Sequence, residues 1–240
     1  MKVNIKRYFE EREKMLATQT VPGPVITISR TYGCDEGAVL KALIGKLNAL
    51  GPGGMKQHLW KYVDKEILDE SAKVLGITPI DVEHRVFLHH SAVVNELLSG
   101  FSKDYNLSDK EIINNVKDVI DTYARRGNVV IVGRGGVGVV RYLRNSLHIQ
   151  LTAPLEARAK WVSEKQELSR EESIDLIRRM DSYRRTWTEH LIEQPIDDGI
   201  FDLSLNMQHL SVEEIADIIV SLMQKRRLVP LHHAEEMSVY

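Results

Sequence analysis

The sequence lacks the features that mark secreted and membrane proteins. Its 240 residues include a single cysteine, Cys34, which excludes an internal disulfide framework and is typical of a reducing cytosol. No apolar run approaches the roughly 20 residues that a membrane-spanning helix needs. The N-terminus also lacks the apolar core of a signal peptide. We therefore expect a cytoplasmic protein that has no membrane partner.

An excess of one charge sign is also missing. The chain has 32 Lys and Arg against 34 Asp and Glu, so its formal net charge at pH 7 is −2. Proteins that attract nucleic acid through their overall field carry a marked positive excess, and we therefore expect no nucleic-acid partner. Hydrophobic residues make up 43% of the chain, which is enough for a sizeable core. The length fits one α/β domain, with or without a helical insertion, and leaves the oligomeric state open.

Short apolar segments alternate with amphipathic ones along residues 23–225. Strands are predicted at 25–28, 59–63, 129–132, 147–151 and 201–205. The segment at 129–132 is wholly apolar, as expected for a strand that is buried on both faces of a parallel sheet. Helices are predicted at about 38–50, 65–75, 154–166, 169–192 and 211–225. This alternation indicates an α/β fold with a doubly wound, five-stranded parallel sheet.

Residues 79–126 contain no convincing strand and predict an all-helical insertion, with helices at about 79–100 and 108–126. Ser108 with Glu111, and Ser211 with Glu214, have the spacing of capping boxes. The remaining divisions are an N-terminal helical extension, a lid-like segment and a C-terminal tail, predicted at 1–22, about 169–195 and 226–240.

The segment after the first predicted strand has the layout of a phosphate-binding loop. Gly33 and Gly37 punctuate a turn, and a helix begins at once, so that backbone N–H groups and the helix dipole can face an anion. The pattern G-x-x-x-x-G-K-[ST] is nevertheless not met, because the glycines are one residue too close and Ala38 stands where Lys should. Asp35 and Glu36 would repel a triphosphate unless a metal or arginines intervened.

Three candidate residues lie at the carboxyl ends of predicted strands, where doubly wound sheets bind ligands. Arg30, Asp64 and Arg134 come after the first, second and third strands. We expect one crevice to receive all three. The planar fork of Arg134 suits a phosphate, because it donates two parallel hydrogen bonds, although a simple ion pair with a carboxylate is the alternative. Asp64 could also cap the helix that follows it.

An arginine-rich helix after the fourth strand provides the second group of candidates. Arg178, Asp181 and Arg185 lie three and four residues apart and share a face, whereas Arg184 is expected near the opposite edge. Transfer of a phosphoryl group needs dense positive charge around its oxygens, which such a helix can supply. A solvated charged face is an equally good interpretation of the spacing.

Other motifs carry less weight. Residues 133–138 match the dinucleotide pattern G-x-G-x-x-G, but no acid follows the next strand to hold a ribose. The histidine pairs at 89–90 and 232–233 lack partners at ligand spacing, so we predict no metal site there. Cys34 lies near a helix N-terminus, where the pKa of a thiol tends to fall, but no His–acid pair accompanies it.

Several segments together carry a resemblance to a known family. They are Ile26-Thr-Ile-Ser-Arg30 followed by Tyr-Gly, Tyr62-Val-Asp64-Lys-Glu-Ile, Val130-Ile-Val-Gly-Arg134-Gly, Ala153-Pro-Leu-Glu-Ala-Arg158, the arginine helix at 178–185, and Phe201-Asp-Leu-Ser-Leu-Asn206. In this order, over about residues 24–222, the chain resembles the cytidylate kinase-like family of P-loop nucleoside monophosphate kinases. The resemblance implies a five-stranded parallel sheet, a helical substrate-binding region, a lid with arginines, and phosphorylation of CMP or dCMP with ATP and Mg²⁺.

The resemblance also implies roles for the candidate residues. Arg134 matches an arginine that binds the monophosphate. The substrate-binding candidates are Arg30, Asp64, Arg134 and Asp181. The catalytic candidates are Arg178, Arg184 and Arg185. The nucleotide-binding candidates are Gly33, Cys34, Gly37 and Lys41, of which Lys41 is a substitute for the missing loop lysine. The competing hypothesis is a catalytically impaired protein that binds a nucleotide or another small phosphorylated ligand on the same scaffold.

Overall fold

A computed structural model of the protein describes residues 23–50, 59–87 and 108–230. Its strands are β1 (Val25–Arg30), β2 (Lys61–Val63), β3 (Val129–Val132), β4 (Ser146–Thr152) and β5 (Leu203–Asn206). Its helices are α1 (Gly37–Ala49), α2 (Lys65–Leu75), α3 (Pro79–Phe87), α4 (Asp109–Arg126), α5 (Gly136–Val140), α6 (Leu155–Gln166), α7 (Arg170–Ile192) and α8 (Val212–Lys225). The predicted extension at 1–22, the end of the predicted helix at 79–100, both histidine pairs and the last ten residues lie outside the described ranges.

The strands form one parallel sheet in the order β2-β3-β1-β4-β5, which confirms the predicted fold class. The chain leaves β1 for β2 and β3 on one side, and then crosses to β4 and β5 on the other. A crevice forms outside the carboxyl end of a central strand at such a switch point. β1 is that strand, so the topology places the site at its end.

Helices cover both faces of the sheet because the strand residues alternate between two apolar clusters. Ile26 and Ile28 of β1 pack in the cluster that α1 and α8 share, and Val25 packs in the cluster of α2, α4 and α7. All four residues of β3 are 0% exposed, as its apolar run predicts. Burial of each such side chain stabilises the fold by about 1.5–3 kcal/mol. None of the described helices is long and apolar enough to cross a membrane.

Local capping signals operate as the sequence predicts. The Ser108 backbone N–H donates to Glu111 Oε2 at 2.7 Å, and the Glu111 N–H donates back to Ser108 Oγ at 3.3 Å. Ser211 and Glu214 form the same reciprocal pair at the start of α8. The first residues of the segment predicted as a C-terminal tail pack against the domain, as the 7% exposure of Val229 shows.

Candidate functional site

A crevice of about 510 Å³ opens at the carboxyl ends of β1, β2 and β3. Its remaining walls come from α3, from the middle of α7 and from the segment that precedes β5. The charged residues that line it are Arg30, Asp64, Glu83, Arg134, Asp181, Arg184, Arg185, Asp197 and Asp198. The three candidates from the strand ends therefore line one crevice, as predicted. Three candidates from the arginine helix line the same crevice.

The turn after β3 presents Arg134 to the crevice. Gly133, Arg134 and Gly135 have φ angles of 62°, 51° and 72°, so three consecutive residues are left-handed. That conformation is uncommon for arginine, which marks the turn as one held in place by its surroundings. Glycine suits position 133, since its φ angle is left-handed and a Cβ there would lie 2.5 Å from Nη1 of Arg30, which would have to move. The strained turn thus places two guanidinium groups beside each other.

Asp64 holds these arginines and does not cap α2 with its side chain. Its Oδ1 accepts a hydrogen bond from Arg134 Nε at 3.2 Å, and its Oδ2 lies 3.6 Å from Arg30. The predicted capping role is wrong, because the Asp64 side chain makes no capping bond and Glu66 accepts from the Asp64 N–H. A carboxylate between two guanidinium groups gains more from charge-assisted hydrogen bonds than from one helix amide.

Glu83 and Tyr183 complete the Arg134 side of the crevice, and sequence reasoning missed both. Glu83 Oε1 accepts from Arg134 Nη1 at 2.9 Å and from the Tyr183 hydroxyl at 2.9 Å. Burial and the neighbouring carboxylate of Glu83 raise the pKa of Tyr183, so its hydroxyl remains a donor. α3 and α7 are far apart in the chain, and no local spacing signals this contact.

The arginine helix places Asp181 and Arg185 at the crevice, as their spacing allows, but adds Arg184 to them and leaves Arg178 out. Arg184 donates from Nη1 to the Arg30 carbonyl at 2.8 Å, and its guanidinium lies 5.3 Å from the centre of the Tyr32 ring. Burial lowers the pKa of Arg184, but arginine stays protonated in proteins. Arg178 is exposed on a separate surface beside Arg179. The expectation that Arg184 lies away from Asp181 is therefore wrong, and Arg178 is the one catalytic candidate that does not line the crevice.

The β1–α1 loop, residues 31–36, is packed against α6 and α7. Gly33 has a φ angle of 96°, and a Cβ there would lie 3.1 Å from the Cβ of Arg158. The Tyr32 N–H donates to Asp181 Oδ1 at 2.6 Å, and the Gly37 N–H donates to Asp35 Oδ1 at 3.1 Å. Two amides at this turn are therefore already bound to carboxylates of the protein itself.

The two loop carboxylates have cationic partners. Arg30 lies 2.8 Å from Glu36, with side chains only 15% and 17% exposed, and Lys165 lies 3.0 Å from Asp35, with both side chains exposed. The Gly37 amide and Lys165 lower the pKa of Asp35. Arginine and lysine thus intervene beside both carboxylates, which reduces the repulsion that the sequence predicts for a triphosphate.

Cys34 and Lys41 do not line the crevice. Cys34 is 5% exposed and lies 3.4 Å from Thr31 Oγ1. Burial raises the pKa of its thiol, which corrects the expectation of a lowered value, because desolvation outweighs the hydrogen bond with Thr31 and the positive charge of Arg158. Lys41 is exposed on α1. No cluster of three or more metal-binding side chains occurs within the described ranges.

Arg158 on α6 is a third residue that was not among the sequence-based candidates. Its Nε donates to the Ala153 carbonyl at 2.9 Å, and its Nη1 donates to the Tyr32 carbonyl at 3.1 Å and to Asp181 Oδ2 at 2.7 Å. The side chain is 11% exposed. The one sequence signal for it is that it ends the motif beginning at Ala153. It links the loop to α7.

Comparison with known proteins identifies the family of the chain. The model of the cytidylate kinase-like family matches residues 25–209. A cytidylate kinase from Sulfolobus acidocaldarius is 32% identical over 102 residues, which are 42% of this chain and 56% of that protein. A uronate isomerase from Corynebacterium glutamicum is 29% identical over 119 residues, which are 49% of this chain and 22% of that protein. The chain thus spans about half of one relative and a fifth of the other.

The fold also occurs in a solved structure. An uncharacterized protein from Eubacterium ventriosum superposes with a TM-score of 0.57 at 18% identity, covering 84% of this chain and 98% of that one. At this identity the likeness concerns the fold alone.

Proposed function

This chain belongs to the cytidylate kinase-like family, and we propose that it transfers a phosphoryl group from ATP to CMP, to dCMP or to a related small acceptor. The observation that carries the proposal is the convergence of Arg30, Arg134 and Arg184 on one crevice at the carboxyl end of the sheet. Positive charge fixed in advance around the reacting phosphates is the main catalytic requirement of phosphoryl transfer.

Arg134 would hold the phosphate of the acceptor. Its Nη1 donates to Glu83 in this structure, and a phosphate oxygen would replace the Glu83 carboxylate as the acceptor of that hydrogen bond. Asp64 would keep the guanidinium oriented through the bond to Nε. Trp187 and Phe201 also line the crevice and would give a pyrimidine base an apolar wall.

Arg184 and Arg185 would surround the transferring group, since both line the crevice from α7. Positive charge there stabilises the oxygens as the phosphoryl group moves between donor and acceptor. Gly33 and Gly37 would shape the donor loop. Arg178 would join them only if α7 turned relative to the sheet, because it lies on a separate surface.

Mg²⁺ is the metal that such a reaction uses, and the crevice has a side chain that fits it. Protein sites for Mg²⁺ use one or two carboxylates together with substrate phosphates. Asp64 is the strand-end carboxylate that would provide such a ligand, and the ion would compete there with Arg30 and Arg134, which lie against its two oxygens. When bound, the ion would neutralise charge on the phosphates.

The donor loop favours a second candidate function, a nucleotide- or phosphate-binding protein with impaired catalysis. The loop has no lysine, and the Tyr32 and Gly37 amides already bind Asp181 and Asp35. A protein of this kind would bind a monophosphate in the crevice without turning it over.

An ADP-release assay separates the two functions. ATP with Mg²⁺ is offered with CMP, dCMP, UMP or AMP, and release without acceptor is subtracted. We expect release that depends on the acceptor and is fastest with CMP or dCMP. Absence of turnover with all four at micromolar enzyme would reject the kinase, and stabilisation of the fold by a monophosphate in that case would support the binding protein.

A further inference from the structure

The β1–α1 loop has no lysine of its own, but a cation from another helix stands against it. Arg158 of α6 donates to the carbonyl of Tyr32 at 3.1 Å, and its Cβ would contact any side chain placed at Gly33. Its guanidinium therefore lies beside the turn on which a donor phosphate would rest. A phosphate-binding loop combines backbone amides with one fixed cation, and here α6 provides that cation.

The carboxylate of Asp181 occupies the position between this cation and the loop. Its Oδ1 accepts from the Tyr32 amide at 2.6 Å, and its Oδ2 accepts from Arg158 Nη1 at 2.7 Å. One carboxylate thus accepts hydrogen bonds from a loop amide and from a guanidinium group. Proteins bind the oxygens of a phosphate with the same kinds of donor. The contact joins residues 149 positions apart, so it is not a local turn motif.

We propose that Arg158 supplies the cation that the donor loop lacks, and that Asp181 fills the anion position until a polyphosphate displaces it. The ligand class is the phosphate chain of a nucleoside triphosphate. The inference rests on the proposed function, in which the same loop receives the donor. Displacement of Asp181 would also free α7 at this contact, which links donor binding to the arginines of that helix.

Arg158 suits this role better than the two lysines nearby. Its hydrogen bonds to the carbonyls of Ala153 and Tyr32 fix the guanidinium, and its side chain is 11% exposed. Lys41 is exposed on α1, and Lys165 is 73% exposed in its ion pair with Asp35. A cation that is already held in place loses less conformational freedom when an anion binds.

The test measures binding of inorganic tripolyphosphate by isothermal titration calorimetry at about 0.15 M salt, which screens distant charges. This probe has neither base nor acceptor, so it reports the phosphate site alone. Asp181→Asn keeps the shape of the side chain and removes its charge. The matched control is Asp175→Asn, which removes one exposed carboxylate from the same helix. We expect Asp181→Asn to lower Kd about tenfold and the control to change it less than about twofold.

The role of Arg158 is tested in the Asp181→Asn background. Arg158→Gln should cancel the gain in affinity, whereas Lys160→Gln, which removes an exposed charge from the same helix, should preserve it. Arg158→Met retains the apolar stem beside Gly33 and should behave like Arg158→Gln. If one of these variants fails to fold, the other still tests the role of the charge. Thermal unfolding identifies such a defect.

Two results would overturn the inference. Asp181→Asn could bind tripolyphosphate no more tightly than Asp175→Asn, or the gain could survive removal of the Arg158 charge. Neither depends on turnover, so the fate of the proposed function is read separately from ADP release. A gain in affinity without turnover supports the anion site and rejects the kinase. Turnover without a gain in affinity supports the kinase and rejects the anion site.

Discussion

Polar groups in both halves of the candidate site are held by contacts within the protein, since Arg134 itself binds Asp64 and Glu83, but the halves differ in how they face the crevice. On the β3 side, Arg134 and Asp64 line a crevice of about 510 Å³ that is open to a ligand. On the β1–α1 loop side, Tyr32, Asp35 and Glu36 are bound to side chains from α6, α7 and β1. The same edge of one sheet thus combines a prepared acceptor pocket with a donor loop that the protein closes itself.

This difference shows that the charge around a loop cannot be predicted from the residues of the loop alone. The loop sequence has two carboxylates and no lysine, which predicts repulsion of a triphosphate. In three dimensions Arg30, Arg158 and Lys165 surround it, so its charge balance is set by residues distant in the chain. The following predictions test the contrast between the halves, beginning with the largest expected effect.

Arg134→Gln should affect turnover most, because Arg134 is the guanidinium at the centre of the open half. We expect kcat/KM for the monophosphate to fall about 10²–10³-fold, as when a preorganised charged donor is removed. Steady-state ADP release measures the change. Arg144→Gln is the control, since Arg144 is exposed near the amino end of β4, and an equal loss in both variants would contradict the assignment.

The arginines of α7 should separate by the surface that each faces. Arg184→Gln should lower kcat about 10²-fold, because Arg184 lies between the crevice and Tyr32, whereas Arg178→Gln should cost less than about threefold. Rates at saturating substrate for both variants provide the comparison. A larger loss from Arg178→Gln would show that α7 turns during the reaction and that the surface seen here is not the working one.

The two carboxylates of the loop should contribute unequally to stability. Glu36→Gln breaks an ion pair whose side chains are 15% and 17% exposed, and it should lower the free energy of unfolding by about 2 kcal/mol. Asp35→Asn breaks an exposed pair and should cost about 0–1 kcal/mol. Urea unfolding at pH 7 measures both. Equal effects would mean that the loop is not anchored through Arg30.

The smallest expected effect is a dependence of stability on pH that arises from His148 in the interior of the sheet and not from the charged site. His148 is 7% exposed, and its ring nitrogens contact Thr27 Oγ1 at 2.9 Å and Ser146 Oγ at 3.0 Å. Burial lowers the pKa of His148, although the nearby carboxylate of Asp202 acts in the opposite direction. As the pH falls, His148 therefore becomes protonated at a higher pH in the unfolded chain than in the folded protein.

The stability that neutral His148 contributes is complete above its unfolded pKa of about 6.5 and is lost as the pH falls below that value. Urea unfolding between pH 8 and pH 5 should show this loss in the wild type and a shallower loss in His148→Gln. Parallel curves for the two proteins would assign the effect to other groups.

Sequence reasoning recovered the fold because its signals are local. The apolar run at 129–132 identifies a buried strand, and Ser108 with Glu111 identifies a helix start from a spacing of three residues. The strand ends then placed Arg30, Asp64 and Arg134 together, since carboxyl ends of parallel strands meet at one edge of the sheet.

The side of a helix that faces a site was not predictable in the same way. Asp181 lies three residues from both Arg178 and Arg184, so spacing cannot decide which arginine shares its surroundings. Packing of α7 against the sheet decides it in favour of Arg184. The partners Glu83 and Arg158 were missed for a related reason, because tertiary contacts between distant segments create them.

Titration of the unmodified protein with single ligands tests the contrast between the halves most directly. CMP or dCMP alone, and ATP with Mg²⁺ alone, are each titrated by calorimetry at the same salt concentration. We predict that the monophosphate binds without a donor, and that ATP with Mg²⁺ alone binds at least about tenfold more weakly, because Asp181 holds the loop amide and Arg158. Tighter binding of ATP with Mg²⁺ than of any monophosphate would contradict the account.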